Sequence, residues 1–199
     1  MSKVIHRIAG LVMALVMILG NTINTRAAGN AYYVSPTGSD ANTGTASAPF
    51  KTFAKANSVL KAGSTLYIYT GVYNQPLKIT KSGTSTDWIH IQPVGGKVAI
   101  DLLYKSAPGV EVQASYVSMS DLVVRNVRGV CVNLKGKNIT VSGLIVNSCA
   151  DHGIHANNSS DIKILKSRVF RTVQSNASRL LTSGWGSGIK IRLSNRVLI

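Results

Sequence analysis

Acidic side chains are scarce in this 199-residue chain. It has 7 Asp and Glu residues against 22 Lys and Arg, a formal net charge of +15 at pH 7. The acidic residues are Asp40, Asp87, Asp101, Glu111, Asp121, Asp151 and Asp161. So basic a surface attracts polyanions, whether nucleic acid, an anionic membrane or an acidic polysaccharide. A site that needs many carboxylates has few places to form.

Proline and aromatic residues are also few. The chain has 5 Pro, and aromatic residues make up 6% of it, while apolar residues make up 45%. This balance excludes a disordered tail and a collagen-like repeat. The length suits one domain, or a large piece of one, with a sizeable core.

A long apolar run occurs at the N-terminus, over Ile8–Gly20, with basic residues before it and a polar stretch after it. This is the layout of a secretory signal peptide, with a cleavage position after Ala27 or Ala31. A membrane helix is the alternative, but the run is shorter than the roughly 20 residues that span a bilayer. We therefore expect a secreted, extracellular protein without stable membrane insertion once residues 1–27 are removed. Export also makes nucleic acid a poor partner.

After the leader, a short strand and a turn-rich stretch precede a change of period. A three-to-four spacing runs through Phe50, Phe53, Ala56 or Asn57, and Leu60, and it predicts an amphipathic helix from Pro49 to Ala62. Beyond it, short apolar runs alternate with Gly, Asn, Ser and Lys, a pattern typical of all-β structure. The sequence thus divides into a signal peptide (1–27), an N-terminal strand, turn and capping helix (28–63), and β-strand coils (64–199).

An internal repeat organises the coils. The phrase Gly-apolar-x-apolar begins at Gly109, Gly129, Gly153 and Gly188. A second strand-like phrase begins eight to ten residues later, at Val117, Ile139, Ile162 and Val197. These second positions are 22, 23 and 35 residues apart, and a third phrase follows in three of the four repeats. Three short strands per turn of ~22 residues are typical of a parallel β-helix.

Alternation along each strand predicts which side chains face the core. The expected core columns are Val117/Ile139/Ile162/Val197 and Met119/Val141/Ile164/Ile199. The expected outer column is Glu111, Cys131, His155 and Lys190. Cys149 aligns with Val127 and Thr172 on the inward side. Two cysteines can pair in an oxidising compartment, but with Cys131 outside and Cys149 inside we expect two free thiols.

The period is interrupted once, by a segment inserted between Thr172 and Trp185. In a solenoid, insertions become loops on one face, which is often the binding face. Arg179 and Trp185 of this segment are candidates for contact with a sugar ring, although Trp185 could equally pack the loop onto the wall.

Residues Tyr32–Thr52, the helix after them and Gly71-Val-Tyr73 resemble the N-terminus of secreted right-handed parallel β-helix proteins. These include the pectate lyases of polysaccharide lyase family nine. The resemblance implies an all-β fold, a right-handed parallel β-helix with an N-terminal capping α-helix. In such lyases an acidic sugar chain lies along a parallel sheet. A Ca²⁺ held by clustered Asp neutralises the uronate, and a Lys or Arg removes the proton at C5.

The resemblance suggests roles for particular residues. We take Lys190 and Arg192 as candidate catalytic residues, His155, Arg179 and Trp185 as candidate substrate-binding residues, and Asp151 as a candidate Ca²⁺ ligand. Ordinary solvated charges and a turn Asp are the competing interpretations. The Asp cluster of the lyases is not visible in this sequence. The chain also stops within an inward strand without a polar cap, so we expect a β-helix truncated at its C-terminus, with an incomplete site.

Two functions therefore stay open. One is a lyase that cleaves an acidic polysaccharide such as pectate by β-elimination, with Ca²⁺ as its cofactor. The other is a non-catalytic carbohydrate-binding or cell-surface protein of the same fold. A glycoside hydrolase is a distant third, because its paired carboxylates are not evident in the sequence.

Overall fold

The computed structural model describes residues 30–172 and 187–199. These residues form two parallel sheets, of ten and five strands, and a single short helix, α1, at Phe53–Val59. The strands are β1 (Ala31–Val34), β2 (Thr65–Tyr73), β3 (Leu77–Ile79), β4 (Ile89–Asp101), β5 (Val110–Val112), β6 (Val117–Ser120), β7 (Leu122–Val127), β8 (Val132–Leu134), β9 (Lys137–Ser142), β10 (Ile145–Cys149), β11 (Ile154–Asn157), β12 (Ser160–Leu165), β13 (Arg168–Thr172), β14 (Ile189–Arg192) and β15 (Asn195–Leu198). The all-β parallel solenoid expected from the repeat is confirmed.

The strands stack into three walls. The first wall contains β6, β9, β12 and β15, the second contains β7, β10 and β13, and the third contains β3, β5, β8, β11 and β14. The long strand β4 belongs to two walls at once. It pairs with β6 through Ile89–Ile91 and with β7 through Val98–Asp101, and it rounds the corner between them at Gly95 and Gly96. Both glycines have positive φ, a conformation that costs glycine little.

The core is a set of stacked columns, as the repeat predicted. Val117 pairs with Ile139, Ile139 with Ile162, and Ile162 with Val197. The first three are fully buried, and Val197 packs partly buried against them. In the second column Met119, Val141 and Ile164 are buried, whereas Ile199 in the last coil is exposed. Each coil therefore buries its apolar residues against the equivalent residues of the next coil.

Corners between walls are made by left-handed residues at equivalent positions in successive coils. At the start of the first wall these are Tyr116, Asn138, Asp161 and Arg196. After that wall they are Asp121, Gly143 and Lys166, and at the end of the second wall they are Asn126, Ser148 and Arg171. A left-handed side-chain-bearing residue costs about 1–2 kcal/mol, so these corners persist because the stacked strands on either side fix them.

Helix α1 covers the open end of the first coil and is shorter than the predicted Pro49–Ala62. Phe53 and Ala56 are buried, and the Phe53 ring lies 4.8 Å from that of Tyr73. The N-terminal difference has a local cause: the Asp40 carboxylate accepts hydrogen bonds from the backbone N–H groups of Lys51 and Thr52, at 2.9 and 2.8 Å. Thr52 is thereby held extended and becomes the N-cap of α1.

The expectation of two free thiols was wrong, because Cys131 and Cys149 form a disulfide with their Cα atoms 5.6 Å apart. Cys149 is buried and pairs with Val127 and Thr172, as predicted. The error was in the placement of Cys131, which is also fully buried. The bond joins the start of one coil to its end.

The cause of that error is a register shift of two residues. Val132, not Val130, pairs with Val110 and Ile154, so Cys131 stands level with glycines at the start of a third-wall strand. Asn133 occupies the place in the outer column that the sequence analysis assigned to Cys131. The spacing to the next strand carried the correct register, since Val132 precedes Ile139 by the same seven residues that separate Val110 from Val117.

Candidate functional site

The outer surface of the third wall carries polar residues in two columns, which we call the third-wall face. The first column is Lys78, Glu111, Asn133, His155 and Lys190. The second column contains Gln113, Lys135, Asn157 and Arg192, each two residues after its counterpart in the first column. Parallel pairing thus aligns one or two polar side chains per coil in a flat array.

In the N-terminal half of the third-wall face, the charged side chains pair with one another. The Glu111 carboxylate lies 3.4 Å from Lys78 Nζ and 3.2 Å from Lys135 Nζ, and it accepts a hydrogen bond from Gln113. Partial desolvation acts to raise the pKa of Glu111, but the hydrogen bonds from Lys135 and Gln113 outweigh it and hold the pKa below its ordinary value. These side chains mainly hold one another in place.

The C-terminal half of the face is cationic. Lys190 is half-buried and pairs in register with His155, while Arg192 is exposed and pairs with Asn157. Neither Lys190 nor Arg192 forms an ion pair with a carboxylate of residues 30–172 or 187–199. Two cations at alternate positions of one strand are therefore available for an anionic ligand.

His152 fastens this cationic end to the preceding coil. The backbone N–H of Ser187 donates to His152 Nδ1 at 3.0 Å, so the proton of the neutral ring is on Nε2. Nε2 lies 3.2 Å from the Asp151 carboxylate and 3.0 Å from Lys190 Nζ. The ring is buried and forms an edge contact with His155.

Burial lowers the pKa of both histidines. For His152 desolvation is the largest cause, opposed by the Asp151 carboxylate and reinforced by Lys190. For His155 desolvation again comes first, followed by His152 and Lys190. Both rings are accordingly neutral around pH 7.

Three polar atoms in the middle of the face lack partners. Asn133 is only 8% exposed although it points outward. Asn133 Oδ1, His155 Nε2 and Asn157 Oδ1 are buried and form no hydrogen bond with any residue the structure describes. Sequence reasoning found His155 but missed Asn133, because the register shift had put Cys131 in its place, and it gave no weight to Asn157.

The structure brings four of the six candidate residues together. Asp151, His155, Lys190 and Arg192 lie at the junction of β11 and β14. Arg179 and Trp185 lie outside the described residues.

A Ca²⁺ site does not fit the groups seen here. Ca²⁺ takes six to eight oxygen ligands, and Asp151 contributes its carboxylate alone beside His152. Asp101 is occupied by Arg125 and Asn126, and Asp161 by Arg196. No three potential metal-binding side chains cluster within residues 30–172 and 187–199.

Residues 32–195 match the family described as the Pel9A-like, right handed beta helix region. The chain belongs to this family. The resemblance stated from residues Tyr32–Thr52 is thereby confirmed. Within the described ranges, no helix has the length and apolar character needed to cross a membrane.

Solved structures share the Pel9A-like fold at low identity. Pectate lyase Pel9A superposes with a TM-score of 0.64 at 20% identity, over 83% of this chain and 47% of that one. GH136 lacto-N-biosidase from Eubacterium ramulus gives 0.58 at 17% identity, over 83% of this chain and 41% of the other. Alginate lyase from Paenibacillus gives 0.57 at 19% identity, over 68% and 53%. The fold is thus one that polysaccharide lyases and glycoside hydrolases share, and the chain spans about half the length of these structures.

A relative of closer sequence is the uncharacterized protein YwoF of Bacillus subtilis. It is 44% identical over 61 residues, which are 31% of this chain and 13% of YwoF.

Proposed function

We propose that this Pel9A-like protein binds an acidic polysaccharide of the pectate kind along the third-wall face. The observation that carries the proposal is the pair Lys190 and Arg192, at alternate positions of β14 and without carboxylate partners among the described residues. The proposal is supported by structural neighbours that include a pectate lyase and an alginate lyase, and by the net charge of +15.

The chemistry of the pair suits a uronate. Arg192 presents a planar fork that matches a carboxylate in two parallel hydrogen bonds, and Lys190 offers a compact ammonium. Their Cα atoms lie about 6.6 Å apart along the strand. The neutral His155 and Asn157 of the preceding coil extend the surface without adding repulsive charge.

A lyase is the second candidate. Near a bound uronate, Lys190 or Arg192 in its neutral form would remove the proton at C5, while the bond from C4 to the leaving oxygen breaks and that oxygen takes a proton from water. Such a step needs a base within hydrogen-bond reach and stabilisation of the developing charge. We propose binding as the first function because the cationic pair supports it directly, whereas turnover needs further groups.

The experiment is a binding titration of polygalacturonate with the purified protein. We expect the double variant Lys190→Ala/Arg192→Ala to bind at least tenfold more weakly, since the loss of one charge-assisted hydrogen bond of about 1.5 kcal/mol already weakens binding about tenfold. Lys163→Ala/Arg168→Ala is the matched control: it removes the same charge from strands β12 and β13 of the other walls. Equal weakening in the two double variants would refute a site on the third-wall face.

The same titration separates binding from elimination. Cleavage by β-elimination produces an unsaturated sugar that absorbs in the near ultraviolet, so absorbance is followed during the binding measurement. We expect binding without product. Product formed by the wild-type protein and lost in Lys190→Ala or Arg192→Ala would replace the binding proposal with the lyase.

Calcium dependence is tested with EDTA. Because Lys190 and Arg192 supply the charge, we propose that binding survives EDTA. A strict requirement for added Ca²⁺, lost in Asp151→Asn, would assign the ion to Asp151 instead.

We also propose that the protein works outside the cytoplasm. The disulfide Cys131–Cys149 supports this, because such bonds persist in oxidising compartments. Mass spectrometry of the exported protein would test it, with a mature N-terminus at residue 28 or 32 as the expected result and an intact Met1 as the contrary one.

A further inference from the structure

Three buried polar atoms at the centre of the third-wall face have no hydrogen-bond partner among the described residues. A buried polar atom without a hydrogen bond costs on the order of 1–3 kcal/mol, and native proteins contain few of them. Here Asn133 Oδ1, His155 Nε2 and Asn157 Oδ1 occur on two neighbouring strands of one surface. Their concentration at one place points to a ligand rather than to scattered imperfections of packing.

The positions of the three side chains form a small L. Asn133 and His155 are cross-strand neighbours, with backbones about 4.8 Å apart, and Asn157 follows His155 two residues along β11, about 6.6 Å away. The corner of the L is the imidazole. These separations match the distances between hydroxyl groups on one sugar ring or on two adjacent rings of a polysaccharide that lies along the face.

The neighbouring protein donors are already engaged. Lys135 Nζ donates to Glu111, and no protein donor forms a hydrogen bond with Asn133 Oδ1, His155 Nε2 or Asn157 Oδ1 among the described residues. A carboxylate cannot complement an amide oxygen, because both are acceptors. A hydroxyl can, since it donates and accepts, and it serves the imidazole nitrogen in either tautomer.

We propose that Asn133, His155 and Asn157 form a subsite for the free hydroxyl groups of a sugar, so that the face selects polyuronates with unmodified hydroxyls over other polyanions. This inference rests on the proposed function and deepens it. Lys190 and Arg192 bind the carboxylate of a uronate, and the L-shaped subsite binds the hydroxyls of the same or the next ring. The positive charge provides affinity for any polyanion, and the buried acceptors provide selectivity for polymers with free hydroxyl groups.

The test compares three polymers at matched length and carboxylate content. These are polygalacturonate, O-acetylated polygalacturonate with its hydroxyls blocked, and polyacrylate, which has carboxylates alone. We expect dissociation constants for the two hydroxyl-free polymers at least tenfold higher than for polygalacturonate. Equal affinities for all three would overturn the subsite while leaving charge-driven binding intact.

Variants locate the discrimination. Asn133→Leu and Asn157→Ala remove the two amide oxygens, and we expect each to reduce the preference for free hydroxyls to threefold or less, with affinity for polyacrylate unchanged. Thr140→Val is the matched control, since it removes a hydroxyl from the outer surface of β9 in the first wall. An undiminished preference in both Asn variants would refute the assignment.

Thermal unfolding supplies an independent readout. If Asn133 Oδ1 has no partner in the protein, Asn133→Leu should leave the melting temperature unchanged or raise it, because an apolar group replaces a buried polar group that lacked compensation. A lowered melting temperature would reveal a protein partner and contradict the subsite.

A neutral galactan separates the two proposals. If it binds as tightly as polygalacturonate, and binding is lost in Asn133→Leu but not in Lys190→Ala/Arg192→Ala, the acidic specificity fails and the hydroxyl subsite stands. If no polymer binds, both proposals fall.

Discussion

The disulfide allows a quantitative test of the register of the third wall. Cys131 occupies the position that Gly109 holds in the preceding coil, and Cys149 occupies the position of Val127. A Cβ added to Gly109 would lie 3.2 Å from Val127 Cγ2. One coil therefore fills this space with Gly and Val, and the next with a disulfide. The double variant Cys131→Gly/Cys149→Val should transfer the packing of one coil to the other and remove only the covalent link.

The expected loss follows from chain entropy. The linked residues are 18 apart in sequence, and closing a loop of that length restricts the unfolded chain by about 3 kcal/mol. For a chain of this size, that loss lowers the melting temperature by about 6–12 °C. Reduction of the wild-type protein should have the same effect, because it removes the same link.

The assay is thermal and urea unfolding of oxidised wild type and the double variant, each with and without a reductant. We expect the reductant to destabilise the wild type by about 3 kcal/mol and to leave the variant unchanged. Cys149→Ala is a useful comparison: it breaks the link and also leaves a cavity, so it should cost more than the double variant. A wild type that ignores the reductant and titrates as two thiols would refute both the pairing and the register.

Three further predictions concern pH, packing and salt. The lowered pKa values of His152 and His155 mean that the unfolded chain binds protons more readily, so stability should be full above about pH 6.5 and decline below it; His152→Gln should flatten that decline in urea titrations, and a wild-type stability that rises on acidification would contradict this. A Cβ on Gly153 would lie 2.5 Å from the backbone oxygen of Gly188, so Gly153→Ala should cost about 1–3 kcal/mol in unfolding free energy. Gly129→Ala, where a Cβ meets nothing within 4 Å, should be nearly neutral, and equal costs would argue against this packing. Polygalacturonate affinity should fall steeply between 50 and 300 mM salt because screening weakens exposed charge contacts, and salt-independent binding would oppose a charge-driven encounter.

The fold was predictable from sequence because a solenoid repeats its pattern. Val117, Ile139 and Ile162 recur at nearly constant spacing, and alternation fixes the face on which each one lies. Errors arose where the pattern left two solutions. The repeat phrase can be placed to begin at Gly129, whereas the structure aligns Cys131 with the start of the other strands. These two registers differ by two residues, so both keep the same alternation of inward and outward residues, and alternation alone cannot choose between them.

The candidate site was predictable only in part. Lys190 and His155 were identified as candidate site residues because the alternation of inward and outward residues places both on the outer surface. The structure pairs them in register. His152 was given no role from the sequence, but burial and the hydrogen bond from Ser187 make it a link between coils. Asn133 could not be recognised as special, because its signal is burial without a partner, and burial on an outer surface has no sequence pattern.

The long strand β4 has a consequence for how the molecule opens. In later coils the first and second walls meet at one left-handed residue between two separate strands, such as Asp121 between β6 and β7. In β4 one strand carries ladder hydrogen bonds into both walls, through Ile89–Ile91 and Val98–Asp101. Local opening in this coil must break both ladders together, whereas later coils can release one wall at a time. Amide hydrogens of β4 should therefore exchange with solvent as one slow cooperative group, and those of later coils in separate, faster groups.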